Sequence, residues 1–293
     1  MITVVGSINM DLMVKTAKIP EEGETLLGEE FSTSPGGKGA NQAVAAARLG
    51  GKVQMIGCVG KDVFGQALTE HLHNENIDVS NISISTDEPT GVANVILSKG
   101  DNRIIVIPGA NYDLTRAKID QLIETIKCSD LVIIQLEILP ETVRVVVQLC
   151  HEFSVPVILN PAPAHDFDME LLSYVDFLTP NETECKQIFK MEMNEALKKY
   201  PNKLIVTLGK DGARYFDGNT YIKIPAFMTN AIDTTGAGDT FNGALAYALV
   251  QKYTLKDAIA FANAAASFAV EKIGAQSGMP SKEEVDKRLT NIT

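Results

Sequence analysis

Two carboxylates, Asp233 and Asp239, flank a glycine-rich turn in the stretch "AIDTTGAGDTFNG", residues 231 to 243, with Gly236 and Gly238 between them. The segment before the turn reads as extended and "TFNGALAYALV" after it as helical, so Thr235 to Asp239 form a loop at a helix N-terminus. Free backbone N–H groups and the positive end of the helix dipole converge at such a place, and glycines let an anion approach. Residues 235 to 239 therefore read as an anion hole. A carboxylate at Asp239 serves equally well as an N-terminal cap, and the residues alone leave both roles open.

A second glycine-rich turn, "SPGGKGANQAVAAARLG" (34 to 50), opens an alanine-rich helix. It has neither GxxxxGK[ST] nor GxGxxG spacing, so the P-loop and the dinucleotide fingerprint do not apply. Lys38 and Asn41 beside Gly36, Gly37 and Gly39 suit a ligand lying against backbone, and a tight turn before a closely packed helix is the plainer reading. The third constellation is "GSINMD", with Asn9 and Asp11 directly after the first strand. Asn followed two residues on by Asp can hold neighbouring hydroxyls through donor and acceptor atoms, or can simply make an Asx turn. Glu137 in "IIQLE", Asn181 and Glu184 in "TPNETE", and Thr207 and Gly209 in "IVTLGKDG" also follow strands. The carboxyl ends of parallel strands are where open α/β sheets bind ligands.

The elements that must position these groups are legible. Short β-branched runs ("ITVVGSI", "VQMIGCVG", "DLVIIQL", "PVILNPA", "DFLTP", "KLIVTLG") alternate with segments of helical spacing at 39–49, 63–75, 115–127, 140–153, 238–251 and 255–270. The pattern predicts an α/β fold with a mostly parallel central sheet sandwiched by helices. Residues 10–35 and 90–108 break the alternation; they read as the strands of a small antiparallel sheet with a "KGDN" turn, a natural lid. "ARYFDGNTYIKIP" should add a hairpin with a "DGN" turn at the sheet edge. No repeat or linker interrupts the chain, so residues 1–293 read as a single domain with its lid.

Composition narrows the partners. The 293 residues carry 26 Lys and Arg against 37 Asp and Glu, a net charge of −11, which disfavours nucleic acid and anionic membranes as partners. Cys58, Cys128, Cys150 and Cys185 show no CxxC spacing and are expected as buried free thiols, and the four histidines have no ligand spacing. With no leader before "ITVVGSI" and no apolar run near the ~20 residues of a membrane span, the expected compartment is the cytoplasm.

The turns at 34–50 and 231–243, with the early "NMD", "QLE", "NPAPA", "PNETE", "VTLGKDG" and the final "GAQ", resemble the ribokinase family of carbohydrate and purine kinases, also called PfkB, over nearly the whole chain. The resemblance implies an α/β sandwich with a β lid, and transfer of the ATP γ-phosphate to the 5-hydroxyl of ribose with Mg²⁺ accompanying the phosphates. By position Asp239 is then the catalytic base and Gly236, Ala237 and Gly238 the anion hole. Asn9, Met10, Asp11, Gly37, Lys38, Gly39, Ala40, Asn41 and Glu137 fall at the family's sugar site. Asn181, Glu184, Thr207, Leu208, Gly209, Lys210, Asp211, Gly212, Gly238 and Asn263 fall where the family holds ATP and its metal. Asp233, Thr235, Ala269, Lys272, Gly274 and Gly278 match a loop for a monovalent cation, K⁺. Two lids packing together would make a homodimer. The chain departs from the family pattern at a short segment, "KMEMNEALKKYPNK", and at Gly278, where a serine is usual.

Related readings are a kinase of another sugar such as deoxyribose, or of a nucleoside, for which the lid residues Met10, Met13, Ala93 and Val95 offer little aromatic surface. A sugar-binding regulator without catalysis would lack the base, which is present. A nicotinamide oxidoreductase is disfavoured by the missing GxGxxG.

Overall fold

The structure, a computed structural model, describes residues 1–98 and 101–290. In chain order the strands are β1 (Ile2–Val5), β2 (Asn9–Lys15), β3 (Glu30–Gly36), β4 (Val53–Gly60), β5 (Asp78–Ser85), β6 (Gly91–Ser98), β7 (Asp101–Ile107), β8 (Leu131–Ile134), β9 (Val157–Leu159), β10 (Phe177–Leu178), β11 (Ile205–Thr207), β12 (Ala213–Phe216) and β13 (Tyr221–Ile224). The helices are α1 (Lys38–Arg48), α2 (Val63–Asn74), α3 (Arg116–Asp120), α4 (Ile123–Lys127), α5 (Pro140–Glu152), α6 (Glu182–Phe189), α7 (Met193–Lys199), α8 (Ala237–Val250), α9 (Leu255–Ala269) and α10 (Lys282–Thr290).

Six strands form a parallel sheet in the order β10-β9-β8-β1-β4-β5. Bridges from Leu178 to Leu204 and from Asn181 to Thr207 carry it on to the antiparallel set β11-β12-β13. The inner strands are apolar throughout because both faces are covered, and successive residues serve opposite cores. Val4, Met55, Ile133 and Ile158 join the cluster under α1, α8 and α9. Val5, Ile56, Ile134 and Leu159 join the one under α5, α6 and α7. Helix α8 is buried along most of its length between α1 and α9, which explains its lack of a polar face.

The second sheet has the order β3-β2-β6-β7 and projects from the ends of β1 and the segment before α1. It consists of two antiparallel pairs, β2–β3 and β6–β7, joined through one parallel pair, β2–β6. The long crossover between β2 and β6 makes that parallel pairing possible. In the expected "KGDN" turn, Lys99 and Gly100 lie outside the described residues. The "DGN" turn forms as expected: Asp217 Oδ1 accepts from the N–H groups of Asn219 (2.7 Å) and Thr220 (2.6 Å), an Asx turn that closes β12 onto β13.

Two expectations need correction. The helix read at 115–127 is two short helices, α3 and α4, because the N–H groups of Gln121 and Leu122 bond back three residues to Lys118 and Ile119, tightening the chain between them. Of the four cysteines, Cys128 is exposed, since it caps the end of α4 on the surface instead of facing the core. The short segment at 190–203 carries only the seven-residue α7.

Candidate active site

The parallel strands all deliver their polar residues to one end of the sheet. Ser7 and Asn9 follow β1, Gln135 and Glu137 follow β8, Asn160 follows β9, Thr179 and Asn181 follow β10, and Thr207 closes β11. The N-terminal turns of α1 and α8 meet over the same end.

Helix α8 starts at Gly236, whose φ of 77° is left-handed. A side chain there would collide with the Ala275 carbonyl, so glycine answers both the turn and the close approach of the 275 loop. The Ala237 N–H bonds to the Thr234 carbonyl. The N–H groups of Gly238 and Asp239 have no backbone partner among the described residues, as the first turn of a helix dictates. Space around Gly238 is open: a Cβ there would meet nothing within 4 Å. That geometry can cradle an anion.

Asp239, only 8% exposed, does not cap α8. Its Oδ2 accepts from Asn41 Nδ2 (2.9 Å) and its Oδ1 from Gln42 Nε2 (2.9 Å), two neighbouring amides of α1. Burial lifts its pKa, against the lowering pull of Lys38 and of both amides, and the Glu137 charge lifts it further. The result is a carboxylate of raised proton affinity, fixed in orientation.

Lys38 opens α1. Its ammonium lies 3.9 Å from Glu137 Oε1, and Glu137 Oε2 accepts from Ser7 Oγ (2.6 Å) and from the Lys38 N–H (3.3 Å). Burial, the largest influence on Lys38, pulls its pKa down, but Asp239, Glu137, Glu184 and Asp11 outweigh it and hold the ammonium charged. Four carboxylates thus share one lysine.

Asp11 sits on β2 with its carboxyl against the Cα of Gly36, in the space a side chain would fill. Burial pushes its pKa up to about 7, with Glu137 and Asp239 adding to the rise and Lys38 opposing it. Asn9 is buried beside it, and its Oδ1 accepts from Asn111 Nδ2 (2.7 Å), which leaves the Asn9 N–H₂ as the donor to offer a ligand. Met10, by contrast, points into the core, and Gly39 and Ala40 are buried in the first turn of α1, so Ala40 and Met10 add packing to this face instead of polar contacts.

A neighbouring group lines the other end. Asn181 caps α6 in a box with Glu184, each side chain bonding the other's N–H (2.9 and 2.8 Å). Glu184 is raised by burial, partly offset by the Asn181 N–H and Lys38. Thr207 ends β11, and Leu208 leads into the single turn Gly209–Asp211, where Lys210 and Asp211 are exposed and Asp211 pairs with Lys223. Gly212 closes tightly on the Ile224 carbonyl, and Asn263 of α9 donates to the carbonyls of Ile224 (3.0 Å) and Pro225 (3.2 Å), fixing this edge.

The Asp233 loop is separate from the first turn of α8 but touches it. Asp233 Oδ1 accepts from the N–H (2.9 Å) and hydroxyl (2.7 Å) of Thr235, and Oδ2 from the N–H of Gly274 (2.9 Å). Burial alone would raise this pKa, yet the bonds from Gly274 and Thr235 outweigh it and hold the carboxyl below its ordinary value. Asp233 N bonds to Val270 O, and Gly278 lies so close to Ala269 that a side chain would strike its carbonyl. Lys272 lies in the same loop, between α9 and Gly274.

The residues that the sequence reading missed are amides: Gln42, Asn111, Gln135, Asn160, Asn242 and Gln276. Gln42 Nε2 also donates to Asn160 Oδ1 (3.0 Å), and Gln42 Oε1 accepts from Gln135 Nε2 (2.7 Å). Thr179 Oγ1 donates to Asn242 Oδ1 (2.6 Å), whose Nδ2 donates to the Gly238 carbonyl (2.8 Å). For Gln135 and Asn160 the signal in sequence is a polar side chain inside an otherwise apolar run, "VIIQL" and "VILNP".

Comparison with known proteins agrees with this geometry. Residues 1–282 match the model of the pfkB family of carbohydrate kinases. The chain is 46% identical to a ribokinase of Lactococcus lactis over 99% of this chain and 97% of that one, and 47% identical to a ribokinase of Bacillus subtilis over 99% of both. Among solved structures it resembles the ribokinase of Thermotoga maritima (TM-score 0.91, 38% identity, 99% of both chains) and that of Arabidopsis thaliana complexed with ribose and ATP (TM-score 0.91, 33% identity, 98% of both).

Proposed function

This chain belongs to the pfkB family of carbohydrate kinases, and from that premise we propose that it transfers the γ-phosphate of ATP to the 5-hydroxyl of D-ribose, giving ribose 5-phosphate. The observation that carries the reading is Asp239: a buried, proton-hungry carboxylate clamped by two amides, in the open first turn of α8 and facing the Asp11, Lys38 and Glu137 cluster.

Phosphoryl transfer asks the protein mainly for positioning and for stabilisation of negative charge. Asn9, Asp11, Lys38, Asn41 and Glu137 hold the sugar, Asp11 and Glu137 accepting from hydroxyls while the Asn9 amide and Lys38 donate. Asp239 takes the proton of the 5-hydroxyl as its oxygen bonds to the γ-phosphorus and the bond to the ADP oxygen breaks. The unpaired N–H groups at the start of α8, those of Gly238 and Asp239 among them, and the α8 dipole receive the charge on the transferred group. Asn181, Thr207, Gly209, Gly212 and Asn263 frame the nucleotide, with Leu208, Lys210 and Asp211 in the same turn. The sheet β3-β2-β6-β7 closes over the sugar and keeps water from the γ-phosphate.

Two ions fit the donors. Four carboxylates around one lysine would repel a triphosphate, so a divalent ion such as Mg²⁺, held largely by phosphate oxygens and water beside Glu184, answers the charge of the site. Among the described residues no three acidic, His or Cys side chains group into an all-protein cage, which agrees with that division of ligands. Ionised Asp233, with the peptide groups of Thr235, Ala269, Lys272, Gly274 and Gly278 gathered in the meeting loops, suits K⁺.

We read residues 1–293 as one kinase domain acting in the cytoplasm, where ATP and four unpaired cysteines belong. No helix among the described residues is long and apolar enough to cross a membrane. The outer strand β7 exposes Ile104, Ile105, Val106 and Ile107, a run of apolar surface on an open sheet edge that a second copy would cover as a homodimer, and Phe31 is exposed on β3 at the opposite edge. Sedimentation showing a fully active monomer of 31.7 kDa at micromolar concentration would refute the dimer. The activity is tested by ATP-dependent turnover of ribose, deoxyribose, fructose 6-phosphate and adenosine, with the product identified by phosphorus NMR. Ribose should have the highest kcat/KM; a preference for adenosine would overturn the assignment.

A further inference from the structure

The carboxylate of Asp239 is held by amides whose own direction must be fixed by something else. An Asn side chain can rotate by half a turn and present oxygen where it presented nitrogen. Asn41 gives its Nδ2 to Asp239 only because its Oδ1 is already taken: Gln276 Nε2 donates to it (2.8 Å). Gln276 in turn is oriented by its other end, since its Oε1 lies 2.7 Å from His71 Nε2. An amide oxygen only accepts, so the imidazole nitrogen is the donor. The main chain at Gln276 is pinned as well, with Arg48 Nη1 donating to its carbonyl and Arg48 itself paired with Glu75.

Each link comes from a different element. His71 is half-buried on α2, Gln276 lies in the loop after α9, Asn41 is on α1 and Asp239 on α8. Asn41 and Gln276 are buried, so a reversed amide would leave a lone pair facing the Asp239 carboxylate with no water to relieve it.

We propose that Gln276, with His71 behind it, is a positioning residue for phosphoryl transfer: the relay His71–Gln276–Asn41 dictates which end of the Asn41 amide meets Asp239, and so ties the 272–278 loop to the proposed base. The inference rests on the reading of Asp239 as the base, and deepens it. Neither Gln276 nor His71 touches the reacting atoms. Their effect is on kcat through the orientation of the carboxylate.

The experiment measures kcat and both KM values, at saturating K⁺ and across a K⁺ series, for Gln276→Met, His71→Ala, His71→Gln, Asp239→Asn and the double variant Gln276→Met with Asp239→Asn. Gln276→Met, which keeps the bulk and loses both hydrogen bonds, should lower kcat about tenfold, the order set by weakening the Asn41 bond to the Asp239 carboxylate, and leave KM for ATP within about twofold. His71→Ala should lower kcat about threefold, and His71→Gln, whose amide N–H can stand where Nε2 stood, should restore it. In the Asp239→Asn background Gln276→Met should change the residual rate less than about twofold, because no carboxylate remains to orient.

An unchanged kcat in Gln276→Met, an equal loss in the Asp239→Asn background, or a loss that added K⁺ reverses would each overturn the relay. Should Gln276→Met fail to fold, the half-exposed His71 pair decides alone: equal kcat in His71→Ala and wild type sinks it. Asp239→Asn separates the two readings. Inactive Asp239→Asn with a fully active Gln276→Met leaves the base standing and removes the relay, whereas an active Asp239→Asn removes both.

Discussion

The loop before Gly236 and the helix after it each hold an aspartate by hydrogen bonds, and the two carboxylates are driven in opposite directions. Asp233 takes three donors, two of them main-chain N–H groups, at a half-buried position, and is held below its ordinary pKa. Asp239 takes two side-chain amides at a fully buried position, and is raised. Counting hydrogen bonds would not separate them. What separates them is the balance with desolvation: peptide donors with water nearby favour the anion, while two amides in a closed site beside Glu137 do not offset the loss of solvent. A permanent anion suits a bound cation and a proton-hungry carboxylate suits a base, so on the proposed reading one turn would carry two chemistries.

The strongest test of this contrast removes proton acceptance at the raised carboxylate. Asp239→Asn should lower kcat by roughly 10² to 10⁴ while ribose and ATP binding stay within a few-fold, because the amide keeps the shape and loses the base. A variant keeping more than about a third of wild-type kcat would show that Asp239 is not the base. In the wild type kcat should fall as pH falls, since the raised pKa places protonation of the base nearer neutrality than an ordinary aspartate would. A kcat independent of pH across the acid range would contradict this.

Asp11 extends the comparison to a third carboxylate, raised like Asp239 but with no donor to its oxygens among the described residues. Substrate hydroxyls are its natural partners, so Asp11→Ala should weaken ribose by roughly 1–3 kcal/mol in calorimetry and leave ATP unchanged. Equal losses for both ligands would instead indicate a damaged fold. Its pKa of about 7 also fixes a pH dependence. If ribose binds the ionised form, its dissociation constant should rise about tenfold from pH 8 to pH 6, and Asp11→Asn should be flat. The sign for stability is the reverse. The folded chain retains a proton that the unfolded chain has released between the ordinary 3.8 and about 7, so ionised Asp11 destabilises the ligand-free protein at neutral pH. Asp11→Asn should therefore raise Tm at pH 7.5 by a few degrees while losing ribose affinity; an unchanged or lower Tm would contradict the burial argument.

How much of this was readable from sequence differs between fold and site. The β-branched runs and helical spacings gave the covered parallel sheet because burial on both faces leaves a continuous apolar signature. The break between α3 and α4 left none, since it comes from backbone bonds at Gln121 and Leu122 that any residue can make. The carboxylates stood out because charge in a glycine-rich turn is conspicuous. The amides that aim them did not: Gln42 lies 197 residues from Asp239 and 93 from Gln135, and in sequence it is one polar letter in an alanine-rich helix. The glycines at 36 and 236 read in sequence as room for a ligand, and in the structure the side where a Cβ would stand faces the Asp11 carboxyl at Gly36 and the Ala275 carbonyl at Gly236.

The smallest effect tests the lowered carboxylate. Asp233 reaches the anion hole only indirectly, through Thr235 on one side and, through Gly274, the loop whose Ala275 carbonyl closes on Gly236. A monovalent cation held by ionised Asp233 and the neighbouring carbonyls would order that loop and so the N–H groups at Gly236 to Gly238, without entering the chemistry. Potassium should then raise ribose turnover a few-fold over sodium or a bulky organic cation at constant ionic strength, an effect on the order of 1 kcal/mol in loop order. Asp233→Ala should abolish the preference and lower the rate in potassium to that of the wild type in the organic salt. Equal wild-type rates in the three salts would remove the cation and leave Asp233 as a loop staple, because its bonds to Thr235 and Gly274 need no ion. A salt preference that survives Asp233→Ala would place the cation elsewhere, and the contrast between the two aspartates would then rest on Asp239 alone.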